Sequence, residues 1–139
     1  MTTLNLTSIP WAVSETAPDF KHLTKMILSR CSLKSFPVLP MLPNLLHIDL
    51  SFNSIQDIDD EVKYTPNLTH LDLSANYIRK VNALSGISTH LQKLTHLEMR
   101  FNDVCKRKRY RLAAITSFTT LQYLDGKLIQ KDDKVHLLR

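Results

Sequence analysis

Glycine is almost missing from this chain: Gly86 and Gly126 are the only two in 139 residues. Turns built on glycine are therefore excluded, and so is a glycine-rich loop that cradles phosphates. Cysteine is equally scarce, with Cys31 and Cys105 alone, so there is no disulfide framework and no paired-cysteine zinc motif. The chain has no apolar run near the ~18 to 20 residues that span a bilayer. Its first residues, MTTLNLTSIPW, carry neither a basic start nor a secretory apolar stretch. GxSxG and HExxH are absent as well. These absences lead us to expect an intracellular, non-catalytic protein with no membrane segment and no cofactor.

What is present is one apolar signature, written four times. It reads LTKMILSRCSL from Leu23, LLHIDLSFNSI from Leu45, LTHLDLSANYI from Leu68 and LTHLEMRFNDV from Leu94. A weaker copy, LQYLDGKLI, opens at Leu121. Successive starts lie 22, 23, 26 and 27 residues apart, the spacing of leucine-rich repeats. In that pattern positions one, four, six, nine and eleven face a shared core. Position nine is Cys31, Asn53, Asn76 and Asn102, the Asn-or-Cys alternation the repeat takes.

Between positions three and seven, apolar and polar residues alternate with a period of two, which predicts a short strand. Stacked copies then make a parallel sheet, and Asn at position nine satisfies backbone groups where the chain turns away. Pro37, Pro40, Pro43 and Pro66 keep the first two connectors from forming long helices, whereas NALSGISTHLQK has room for about two helical turns. The fold class expected is α/β: a right-handed leucine-rich-repeat solenoid of about five units, with a concave parallel sheet and short helices or irregular turns on the convex side. With 43% hydrophobic residues, the chain suffices for one domain. We divide it into an N-terminal cap at 1–22, repeats at 23–104 and a C-terminal cap at 105–139. Leu4-x-Leu6 reads as a degenerate strand, or Leu6-x-x-Ile9-Pro10 as the end of a repeat; in either register Trp11 and Phe20 cover the first leucine set. Cys31 and Cys105 lie three strand spacings apart, on the order of 14 Å, beyond disulfide reach.

The C-terminal stretch is more specific. Asn102-x-Val104, then Tyr110-Arg111, a helix carrying Leu112, Ile115 and Phe118, and finally Leu121-x-x-Leu124-Asp125-Gly126 follow in order. These elements resemble intracellular leucine-rich-repeat proteins with a C-terminal capping motif. That family includes a regulatory subunit of type-one protein phosphatase, the A-prime protein of a spliceosomal ribonucleoprotein and a flagellar outer-arm dynein light chain. Asp103 departs from the motif, where members commonly have proline. The resemblance implies phosphatase regulation, ribonucleoprotein assembly, or cytoskeletal or ciliary scaffolding as settings. Asp132 and Asp133 suit the first turn of a cap helix, and its abrupt end suggests one domain of a longer protein.

With positions four and six buried, positions three, five and seven face outward on the sheet. Position three supplies Lys25, His47, His70, His96 and Tyr123; position five supplies Ile27, Asp49, Asp72, Glu98 and Asp125; position seven supplies Ser29, Ser51, Ser74, Arg100 and Lys127. Three histidines beside acids raise the question of zinc. Ligands must converge to ~2.0 to 2.2 Å in a tetrahedron, and side chains standing side by side on a sheet diverge, so no metal is expected. A shallow sheet also lacks the desolvating pocket that catalysis needs.

The columns suit a docking surface instead. We expect a protein partner, a helix or loop bearing Lys or Arg, on the face formed by Lys25, His47, Asp49, His70, Asp72, His96, Glu98, Arg100 and Tyr123. Asp49, Asp72, Glu98 and Asp125 form an acidic strip in this reading. Position eight holds Phe52 and Phe101, which are expected to pack under the rim, with exposure as contact anchors the alternative. The net charge of +5 comes mostly from Lys106, Arg107, Lys108, Arg109 and Arg111. That run is expected to be a solvated loop before the cap helix, with nucleic-acid contact as the alternative. The function expected is an intracellular adaptor or scaffold, in cytoplasm or cytoskeleton. The alternatives are a phosphatase regulator or a ribonucleoprotein subunit of the nucleus.

Overall fold

The computed structural model describes residues 3–8 and 20–136. Among them, seven strands form one sheet in chain order. These are β1 (Thr3–Asn5), β2 (Lys25–Ile27), β3 (His47–Asp49), β4 (His70–Asp72), β5 (His96–Glu98), β6 (Tyr123–Leu124) and β7 (Lys127–Leu128). The first six run parallel and β7 pairs antiparallel with β6. Each strand is short because only six residues separate the inward leucine at position one from the left-handed turn at position eight. Leu4 pairs with Met26, so the strand reading of the N-terminal stretch is the correct one and adds a sixth parallel rung. Phe20 is half-buried against the core, and Trp11 lies outside the described residues.

The core fills the space behind the sheet. Met26, Ile48, Leu71, Leu97 and Leu124 at position four, with Leu28, Leu50, Leu73 and Met99 at position six, are at most 2% exposed. Position nine supplies the second stabilising row. Asn53 Nδ2 donates to Leu28 O and Leu50 O at 3.0 and 2.9 Å, while its Oδ1 accepts from Cys31 N and Leu33 N. Asn76 and Asn102 repeat the pattern one and two rungs on. Cys31 stands where the first rung lacks an asparagine, and its thiol donates to Leu6 O. Both cysteines are free.

Beyond the strands the backbone turns left-handed at position eight. Ser8, Arg30, Phe52, Ala75 and Phe101 hold φ values of 66, 59, 57, 54 and 64°. That conformation throws the side chain outward, which corrects the expectation for the two phenylalanines. Phe52 is 48% exposed and Phe101 79% exposed, neither packed beneath the rim. On the convex side the proline-rich connector stays irregular and a 3-10 turn occupies Asp60–Tyr64. The glycine-containing connector forms α1 (Ala83–His90), the two turns its length allows.

The C-terminal end is covered by α2 (Tyr110–Ser117), which buries Tyr110, Ala114 and Ile115, with Phe118 buried just beyond it. Leu112, grouped with these by resemblance, points to solvent at 41% exposure. Asp125 and Gly126, both at positive φ, turn β6 into β7, so the last parallel strand gains a partner along its open edge. A Cβ at Gly126 would stand 3.4 Å from Arg100 Nη2, and the position needs glycine for its φ of 77° as well. The chain closes with α3 (Lys131–His136), held to α2 by Arg111 Nη2 donating to Asp133 Oδ2 at 3.0 Å.

Candidate functional site

The parallel register brings the position-three residues into one row. Lys25 stands beside His47, His47 beside His70, His70 beside His96, and His96 beside Tyr123. The rings stack face to face, with centroid separations of 5.1, 4.0 and 4.7 Å and interplanar angles of 5, 14 and 18°. Such stacking follows from the ~4.8 Å strand spacing, which is close to van der Waals contact between flat groups.

The neighbouring threonines orient two of these imidazoles. Thr69 Oγ1 donates its one proton to Leu46 O, so at 2.9 Å it accepts from His70 Nδ1–H. Thr95 Oγ1 donates to Thr69 O and accepts from His96 Nδ1–H at 2.8 Å in the same way. A neutral ring bonded this way carries its lone pair on Nε2. Among the described residues, no group of three or more His, Cys, Asp or Glu side chains converges to hold a metal ion.

The acidic column divides on inspection. Asp49 Oδ1 accepts from Ser51 N, and Asp72 Oδ1 from Ser74 N and Oγ, which anchors each carboxylate beside the ladder. Glu98 is gripped by Arg100 through Nε and Nη2 at 2.6 and 2.8 Å, so its charge is already matched within the chain. Asp125 does not belong to the strip. It turns away to accept from Tyr110 Oη and Met99 N, both at 2.7 Å. Ser29 and Ser51, expected outside, are buried and share a 3.1 Å hydrogen bond. An open depression of about 310 Å³ remains, lined by His47, His70, Asp72, His96, Glu98 and Tyr123.

Burial lowers the His47 pKa below its ordinary 6.5, with the Lys25 charge adding to the effect. Burial lowers that of His70 too, followed by the neighbouring His96 and His47. Burial raises the Asp72 carboxyl above 3.8, against the hydrogen bonds from Ser74. The unfolded chain thus protonates His47 and His70 at higher pH than the fold does, and stability falls as pH drops below about 6.5. Asp72 has the opposite slope just above 3.8, so the histidine effect is to be read between about pH 7 and pH 6. Melting temperatures across that window are expected to fall in the wild type and to fall less in His70→Gln. Identical slopes in the two proteins would refute the assignment.

The basic run joins the fourth repeat copy to α2. Lys106, Arg107, Lys108 and Arg109 are all exposed, Lys106 Nζ reaches Asp103 at 3.5 Å, and Arg107 Nε donates to Arg79 O at 3.4 Å. It follows a 3-10 turn (Asp103–Lys106) and leads into α2, and its exposure suits a solvated loop and a nucleic-acid contact alike. The hairpin at Asp125-Gly126 and its lock to Tyr110 escaped the reading of the sequence. Asp-Gly after an apolar strand is the local signal that would have found the turn.

No helix among the described residues is long and apolar enough to cross a membrane. No curated protein sequence matches the chain. Solved structures do. The Drosophila melanogaster SNF/U2A' complex aligns over 98% of this chain and 79% of its own, at 25% identity and a TM-score of 0.87. The Mex67 leucine-rich-repeat domain from Chaetomium thermophilum aligns over 67% of this chain and 64% of its own, at 24% identity and a TM-score of 0.57. The Chaetomium Mex67:Mtr2 subunits give 26% identity over 68% and 63%, also at 0.57. Leucine-rich repeats are modules with extended concave binding surfaces, and the sequence model of that repeat matches residues 19–137. With its sheet, its asparagine row and this match in agreement, the chain belongs to the leucine-rich-repeat family.

Proposed function

We propose that this is a non-catalytic docking module, a single repeat domain capped at 1–22 and 105–139, which receives one segment of a protein partner on its concave face. The observation that carries the reading is the continuous stack of His47, His70, His96 and Tyr123 beside Asp49 and Asp72. Nε2 lone pairs and carboxylates in one row accept from N–H donors, and the flat rings offer apolar area. The complementary ligand carries Lys or Arg. Five rungs from Lys25 to Tyr123 extend ~19 Å at the strand spacing, the length of about twelve helical residues. Lys25 at one end, and Arg100 beside Glu98, discriminate against a wholly basic ligand.

Affinity capture with the wild type and with a His70→Ala, Asp72→Ala double variant tests this. Partners retained by the wild type are expected to bind the variant at least about tenfold more weakly, a cost of about 1.4 kcal/mol, with circular dichroism unchanged. If every partner stays bound at wild-type strength, recognition lies elsewhere on the solenoid.

A second reading, a ribonucleoprotein subunit that lends its basic loop to RNA, is supported by the likeness to the SNF/U2A' complex and by the exposure of Lys106 to Arg109. Phosphatase regulation and a cytoskeletal or ciliary setting rest on the sequence resemblance alone. The location follows the partner: cytoplasm for an adaptor, nucleus for the ribonucleoprotein subunit. Labelled single-stranded RNA separates the two readings. Binding that weakens sharply as salt rises, and does so less steeply on Lys106→Ala with Lys108→Ala, favours the second.

A further inference from the structure

The edge of the sheet just beyond the strands carries three exposed aromatic side chains, none explained by packing: Phe52 at 48%, Tyr77 at 59% and Phe101 at 79% exposure. Phe52 and Phe101 also hold φ of 57 and 64°, a region that Asn, Asp and Gly enter at lower cost than an aromatic residue. Neither the backbone nor the core therefore accounts for phenylalanine at position eight. Cations share this edge. The Arg30 guanidinium lies over the Phe52 ring at 4.1 Å, and Arg107 Nε donates to the carbonyl of Arg79, two residues after Tyr77. Two acids intrude, Asp57 and Asp103, and Asp103 is matched by Lys106 at 3.5 Å.

We propose that this edge is a platform for single-stranded nucleic acid, on which Phe52, Tyr77 and Phe101 stack bases while Arg30, Arg79 and Arg107 neutralise phosphates. Every base offers a π-face, so exposed rings interleaved with arginines bind a single strand with little regard to sequence. Charge complementarity selects this occupant over an apolar protein surface: cations outnumber carboxylates on the edge, and the chain as a whole is at +5. The proposal rests on the ribonucleoprotein reading and deepens it, placing the bases on the rim and leaving the concave face to protein.

Fluorescence anisotropy with a labelled oligouridine of about ten nucleotides tests it. Phe101→Asn is the decisive variant, because asparagine suits the left-handed backbone and leaves the melting temperature unlowered. It is expected to weaken binding at least about tenfold, with Phe101→Trp restoring it. Lys106→Ala with Lys108→Ala should instead reduce the slope of log affinity against log salt by roughly one unit. If Phe101→Asn binds like the wild type while the lysine variant shows the reduced salt slope, the stacking edge is overturned and the ribonucleoprotein reading stands. If the wild type does not bind oligouridine even at low salt, both fall. Loss of a protein partner in Phe101→Asn, without any oligonucleotide binding by the wild type, likewise overturns the proposal in favour of a protein contact.

Discussion

Asn53→Ala is expected to be among the most damaging single substitutions in this domain. The residue is 7% exposed and ties two successive turns together. Its carbonyl takes the Cys31 and Leu33 amides, and its amide group serves the Leu28 and Leu50 carbonyls. Alanine leaves the Cys31 and Leu33 amides and the Leu28 carbonyl short of a partner in a space closed to water, while Leu50 O still accepts from Asn76 Nδ2. Each buried orphan costs about 1 to 3 kcal/mol, so the total loss should reach at least about 3 kcal/mol. For a domain of this size that is on the order of 10 °C in melting temperature. The damage should be directional: in a solenoid each rung is stabilised by its neighbours, so β1 and β2 should exchange their amides first. Asn53→Asp restores the acceptor but not the donors, and should recover only part of the loss. A midpoint for Asn53→Ala within about 1 kcal/mol of wild type would show that water reaches this row.

Asp125→Ala should release the opposite end. This carboxylate accepts from the Met99 amide and the Tyr110 hydroxyl, and both of those residues are buried. Burial and the adjacent carboxylate hold the Tyr110 phenol protonated, above its ordinary pKa. Removing the acceptor leaves two buried donors unmatched and places a β-carbon residue at φ 53° without asparagine's or aspartate's tolerance for it. A loss of about 3 kcal/mol is expected, with α2 and the β6–β7 hairpin loosening from the core. Burial raises the Asp125 pKa above 3.8 despite its hydrogen bonds, so the charge itself is a burden on the fold. Its contribution is greatest at acid pH and is lost as pH rises through the folded pKa. Asp125→Asn keeps the left-handed turn and an acceptor for Met99 while dropping that charge, and should melt within about 1 kcal/mol of wild type near neutrality. If alanine and asparagine prove equally harmful, the carboxylate's charge rather than its hydrogen bonds holds the cap.

The two substitutions differ in how far their targets can be read from the sequence. Asn53 stands at a fixed offset from leucines that recur along the chain, so its position behind the sheet follows from the spacing. Asp125 occupies the same register as Asp49, Asp72 and Glu98 and reads as a fourth member of their column. Its true partner is Tyr110, fifteen residues away across the cap, and no local pattern announces that hydrogen bond. The same contrast separates the ladder from the rim. His47, His70, His96 and Tyr123 fall side by side because parallel strands of constant length preserve register. Phe52 and Phe101 sit three residues past their strands, where alternation has ended and a left-handed turn decides the direction of the side chain.

Periodicity alone determined the solenoid, its parallel rungs, the asparagine row and the identity of the outward columns, because each depends on a repeat distance that the chain writes out residue by residue. Tertiary structure alone decided which members of those columns are available to a ligand. Glu98 is taken by Arg100, Asp125 by Tyr110, and Ser29 and Ser51 by each other, while His70 and His96 are oriented by the threonines beside them. Repetition sets where a side chain starts, and hydrogen bonds and burial in the folded chain set which of its atoms remain unspent.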